Sequence, residues 1–64
     1  MSKFVFGSRV KVKQESTSPY HGCAGIVIKV ISHEVADVYV VKMESYPDYL
    51  PQSNRFLDQD LEAC

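Results

Sequence analysis

Apolar and polar positions alternate with period two through most of the first half of the chain. In Arg9-Val10-Lys11-Val12-Lys13 the valines fall on one side and the three basic residues on the other, as a half-buried strand requires. Gly7-Ser8 marks a turn into that strand, and Phe4 and Phe6 are spaced to bury both rings on one side of the preceding segment. From Glu15 to Gly22 the composition becomes polar, which predicts a loop. A second strand follows at Ala24-Gly25-Ile26-Val27-Ile28-Lys29-Val30-Ile31, whose β-branched density suits a sheet and not a helix. Ser32 to Ala36 makes a short connection, and Asp37 to Met43 reads as a third strand closing a hairpin with the second. Glu44 to Asn54 holds Tyr46, Pro47, Tyr49 and Pro51 without periodicity and predicts a long loop. Arg55-Phe56-Leu57 predicts a brief strand, Asp58 to Leu61 a single 3₁₀ turn that drops Leu61 into the core, and Glu62 to Cys64 a closing strand. No stretch carries the i, i+3, i+4, i+7 apolar pattern of an amphipathic helix over three turns.

Five short strands in 64 residues predict one all-β domain, a small five-stranded antiparallel barrel with a 3₁₀ turn before the last strand. The hydrophobic content of 45% is that of a globular chain and argues against disorder. A core this small contributes only about 3–5 kcal/mol net, so a large catalytic cleft or an internal cofactor is not expected. The apolar stretches fall well short of the ~20 residues of a membrane span, and the N-terminus shows no charged-then-apolar leader.

The net charge of −1 argues against a general nucleic-acid or membrane binder, but the distribution is uneven. Residues 1–33 carry Lys3, Arg9, Lys11, Lys13 and Lys29 against Glu15 alone, whereas residues 34–64 carry seven acids against Lys42 and Arg55. Such polarity favours oriented docking over bulk attraction. Cys23 and Cys64 are too thin a framework for a secreted disulfide domain, and they read as thiols of a cytoplasmic protein. His21, Cys23, His33 and Cys64 contain one close His-x-Cys pair and no matching second pair, so no metal site is expected.

Gly7-Ser8-Arg9-Val10-Lys11-Val12, followed by Gly22-x-x-Gly25-x-Val27-x-x-Val30, resembles the SH3-like barrels of the KOW and translation-protein kind. The first glycine of that layout makes the tight turn into strand one, and the second pair lets the chain leave the loop and bend through a curved strand. Within that group the layout is similar to the photosystem I subunit IV (PsaE-type) family, with the ferredoxin-binding subunit S of the photosynthetic NDH complex as a cousin. The matching pieces are Gly7-Ser8-Arg9-Val10, Ser18-Pro19-Tyr20, Gly25-Ile26-Val27, Val38-Tyr39-Val40, Tyr46 to Asn54, and Asn54 to Leu61. The chain departs from that family in His21-Gly22-Cys23-Ala24, in its acidic tail and in the leader Phe4-Val5-Phe6. Type II dihydrofolate reductases share the small barrel but line their pore with Val-Gln-Ile-Tyr. The corresponding Leu50-Pro51-Gln52-Ser53-Asn54-Arg55 lacks the tyrosine and inserts a proline.

Two sets of residues are candidates for partner contact. Arg9, Lys11 and Lys13 share one face of the first strand and could meet phosphates or an acidic protein surface, although exposed strands also carry lysine to discourage edge pairing. Tyr20 in the first long loop, with Tyr46 and Tyr49 in the second, would frame a groove if the loops approach. The alternative is that the tyrosines cap an end of the barrel. Arg55, beside the Phe56 strand, joins these as a further contact. No nucleophile lies beside a base, and no phosphate-cradling glycine loop occurs, so no catalytic residue and no cofactor is expected. The expectation is a non-enzymatic adaptor that docks onto a larger protein assembly through its long loops and basic first strand. The alternative is a KOW-type module touching RNA or DNA beside a ribosome or polymerase.

Overall fold

Val10 and Val12 are fully withdrawn from solvent while Arg9 stays exposed, so strict alternation sets the first strand, β1 (Arg9–Val12). The computed structural model describes residues 3–64 and continues with β2 (Ala24–Ser32), β3 (Asp37–Met43) and β4 (Ser53–Leu57). A 3₁₀ turn at Asp58–Asp60 then leads into β5 (Leu61–Ala63). All neighbours are antiparallel, and the order is β4-β3-β2-β1-β5. The chain therefore meanders through four strands, turns at Asp58–Asp60, and returns to pair β5 against β1. The expected five antiparallel strands and the 3₁₀ turn before the last of them are present as one sheet, with β4 and β5 as its two terminal strands.

One irregularity shapes the sheet. Val27 pairs with Val41 and Lys29 with Val40, so β2 has one residue more than β3 between those positions, a bulge that takes up Ile28. A bulge bends its strand and increases the local twist. It also resets the alternation: Val27 points inward and is fully buried, Lys29 is exposed, and Val30 packs back against the core.

The core consists of Phe4, Val10, Val12, Tyr20, Val27, Tyr39, Val41, Met43, Phe56 and Leu61, with Cys23, Val30 and Leu50 packed on its margin. Two edge-to-face aromatic pairs organise it: Phe4 on Tyr39 with centroids 5.4 Å apart, and Tyr20 on Phe56 at 5.6 Å. Such pairs contribute roughly 0.5–1.5 kcal/mol beyond the area they bury. Gly25 has no room for a side chain against β3; a Cβ there would lie 2.7 Å from the Lys42 carbonyl oxygen and 2.7 Å from Val41 Cγ1.

Several boundaries differ from the sequence reading. Phe6 is 74% exposed instead of sharing a buried face with Phe4. The chain reverses between the two rings: Ser8 N–H donates to the Val5 carbonyl (3.0 Å), Val5 N–H donates to Ser8 Oγ (3.1 Å), and Gly7 takes a positive φ of 88°. Period two does not survive such a turn. Lys13 leaves the strand, its N–H donating to the Asp60 carbonyl. Leu61 is the first residue of β5 and not the last of the 3₁₀ turn, although it does enter the core. β4 starts two residues before Arg55, at Ser53 and Asn54; both are polar and exposed, so no alternation marks them.

Candidate functional site

The strand registers assemble an outer face that no single strand reveals. One row across it is Arg9, Ile26, Lys42 and Ser53 on β1, β2, β3 and β4. The next is Lys29, Val40 and Arg55, and the third is Ile31, Val38 and Leu57. Beyond the first row, Lys11 lies between Ala24 on β2 and Glu62 on β5. Same-face residues are about 6.8 Å apart along a strand and strands about 4.8 Å apart, so the three rows make a patch ~14 Å long. Its chemistry is graded, cationic at the Arg9–Lys42 end and aliphatic at the Ile31–Val38–Leu57 end.

Charge separates accordingly. Arg9, Lys11, Lys29, Lys42 and Arg55 meet Glu44 and Glu62 on this face and Glu34 at its groove end, five cations against three carboxylates, a balance of +2. The remaining Lys3 and Lys13 are set against five carboxylates elsewhere, Glu15, Asp37, Asp48, Asp58 and Asp60, a balance of −3, which together recover the net −1. The one ion pair among the described residues is Arg9 with Glu44, whose Oε1 accepts from Nε at 3.1 Å and Nη2 at 2.8 Å. Both partners are largely exposed, so the pair contributes at most about 1 kcal/mol.

The basic residues of strand one are thus dispersed. Arg9 is held by Glu44, Lys11 is half-buried opposite Glu62, and Lys13 lies off the face. Lys13 instead borders a polar cleft with Glu15, Ser16, Thr17, Gln59 and Asp60, where Ser16 Oγ reaches Asp60 Oδ1 at 3.5 Å. Arg55 does belong to the face, beside Lys29 and Lys42, two residues that strand-by-strand reading did not single out. Their signal was present in the alternation of Val38, Val40 and Lys42 against Tyr39, Val41 and Met43. Only the register and the bulge bring Lys29 and Arg55 into one row.

The tyrosines do not form one surface. Tyr20 is fully buried, and its hydroxyl donates to the Pro51 carbonyl, tying the first long loop to the second. Burial, with Tyr46 and Cys23 nearby, holds its hydroxyl above the ordinary value of 10.0. The loop that carries it is braced by Ser16 and Ser18, whose hydroxyls accept from Ser18 N–H (3.1 Å) and Tyr20 N–H (3.2 Å), each two residues on. Tyr46 is 38% exposed and Tyr49 79%, so these two alone are presented to solvent by the second loop.

At its aliphatic end the outer face opens into a shallow groove. Val38 and Leu57 line it from the strands, and Val35 and Ala36 from the β2–β3 connection, with His33 and Glu34 also bordering it. Val35 is 97% exposed. Among the described residues no three His, Cys, Asp or Glu side chains gather as a metal site would require, and no helix is long and apolar enough to cross a membrane. Comparisons with protein-family models, with curated proteins and with solved structures find nothing that matches the chain.

Proposed function

We propose that this chain is a non-enzymatic docking module, an SH3-like barrel that attaches to a larger protein assembly through the outer face of its sheet and its exposed second loop. The barrel reading is supported by the meander of four strands, the return of β5 onto β1 after a 3₁₀ turn, and the bend that the β2 bulge introduces. The observation that carries the docking reading is the separation of charge, +2 on the face against −3 on the rest of the chain. Separation of that kind orients a small protein on a partner without making it a general polyanion binder. A protein surface suits this face better than nucleic acid: its three strand rows are mainly basic and aliphatic and contribute no aromatic ring for base stacking, the exposed Tyr46 and Tyr49 lying on the second loop beside it. Attachment in the manner of photosystem I subunit IV is one form the reading takes. The free thiols of Cys23 and Cys64 suit a reducing compartment, so the proposal places the module in the cytoplasm.

The test is affinity capture from the source lysate, with and without nuclease, using the wild type and the triple variant Lys29→Glu, Lys42→Glu, Arg55→Glu. A set of subunits that survives nuclease and is lost with the triple variant supports docking through this face. Loss of the catch on nuclease treatment replaces it with the KOW-type nucleic-acid module.

A further inference from the structure

The outer face is ordered along the strands, and that order constrains what can lie on it. Starting at the groove of Val35, Ala36, Val38 and Leu57, the next row toward the other end presents Lys29 and Arg55, and the row after that Arg9 and Lys42. The two cations within each row stand two strands apart, about 9.6 Å, with an aliphatic residue between them: Val40 in one row, Ile26 in the other. Successive rows are about 6.8 Å apart.

Resting on the docking reading, we infer that the face receives an acidic segment of a partner protein with one aliphatic anchor. The anchor side chain enters the groove beside Val35 and Leu57. Carboxylates about 7 and 14 Å further along meet first Lys29 and Arg55, then Lys42. An extended chain lying along β3 reproduces that spacing with an anchor at i and carboxylates at i+2 and i+4, because alternate residues share a face at the pitch of the sheet beneath. Charge complementarity selects the acidic partner: the patch is cationic in a chain that is otherwise anionic, so an acidic segment is drawn to this face and repelled by the rest. The groove fixes direction, since only one end of the patch can take an apolar side chain.

The probe is a synthetic peptide of leucine followed by glutamates at alternate positions with serine between, titrated into ¹⁵N-labelled protein at low and at physiological salt. Saturable shifts at Val35, Val38 and Leu57 together with Lys29 and Arg55 are expected. Binding should weaken on the order of tenfold in the double variant Lys42→Glu, Arg55→Glu, since each exposed charge contact contributes up to ~1 kcal/mol. Val35→Asp leaves the fold intact, because that side chain is 97% exposed, and should remove the shifts at the groove. A peptide with serine in place of leucine that binds equally well overturns the anchor. Shifts produced by an oligothymidylate and not by the acidic peptide overturn the partner class. Absence of peptide binding, while lysate capture still depends on Lys29, Lys42 and Arg55, overturns this inference and leaves the docking reading standing.

Discussion

The hydroxyl of Tyr20 donates to the carbonyl of Pro51, 31 positions further along the chain, so the first long loop is fastened from within the core to the second. Both loops border β4 through this contact, since the Tyr20 ring also packs edge-on against Phe56. Tyr20→Phe keeps the ring and removes the bond, and it should lower unfolding free energy by about 1 kcal/mol in urea titrations. The same residue confers a pH dependence. Its folded-state pKa is raised, by burial first and then by Tyr46 and Cys23, so the neutral hydroxyl is favoured by folding. The stability from this source is fully present below pH 10 and is lost as pH rises through the raised folded value. Tyr20→Phe should therefore unfold less steeply than the wild type above pH 10, read by circular dichroism.

Gly25 is required by space. It pairs with Val10 on one side and Met43 on the other, and a Cβ would press against backbone of β3 at 2.7 Å and 3.0 Å. Those atoms belong to a paired strand and cannot swing aside as a side-chain tip would. Gly25→Ala should cost about 1–3 kcal/mol by chemical denaturation, the range for overpacking a well-filled interior.

Glu44 neutralises one cation of the outer face. Glu44→Gln should change stability by less than ~1 kcal/mol, because the Arg9 pair is exposed. It should tighten an acidic partner instead, by releasing Arg9 and raising the balance of the face from +2 to +3. Titration of the acidic peptide into both proteins at low salt checks this, and the difference should shrink as salt is added.

The bulge at Ile28 makes deletions at two neighbouring positions behave differently. Removing Ile28 brings Val27 and Lys29 together in plain alternation, so Val27 stays inward and Lys29 outward while the strand straightens. That variant should keep a β-sheet circular dichroism spectrum and lose stability. Removing Val40 shifts β3 by one and turns either Tyr39 or the pair Val41 and Met43 away from the core. It should be unfolded in the same measurement.

Most of the strands were legible because their residues alternate. Val10 and Val12 against Arg9 and Lys11, and Tyr39, Val41 and Met43 against Val38, Val40 and Lys42, carry the facing of β1 and β3 directly in their spacing. The N-terminal turn was hidden, because the spacing of Phe4 and Phe6 mimics a strand and only the Gly7 conformation breaks it. The start of β4 was hidden because Ser53 and Asn54 are exposed and polar, held in place by pairing with Lys42 and Val41 and not by burial. The candidate face was the least legible part. Its residues come from four strands, and the row of Lys29, Val40 and Arg55 depends on one extra residue in β2 whose presence no local pattern announces.

β4 brings Arg55 to the face, and it is also a terminal strand of the sheet. The Oδ1 of Asn54 accepts the Arg55 N–H at 2.8 Å, so a donor of that rim is already engaged by its own neighbour. Terminal strands recruit indiscriminately when their backbone groups are open, because any extended chain can satisfy them. With this amide withdrawn, copies of the protein have less means of stacking into filaments through β4. One of the hydrogen bonds that any polypeptide could make with this edge is thereby closed to it.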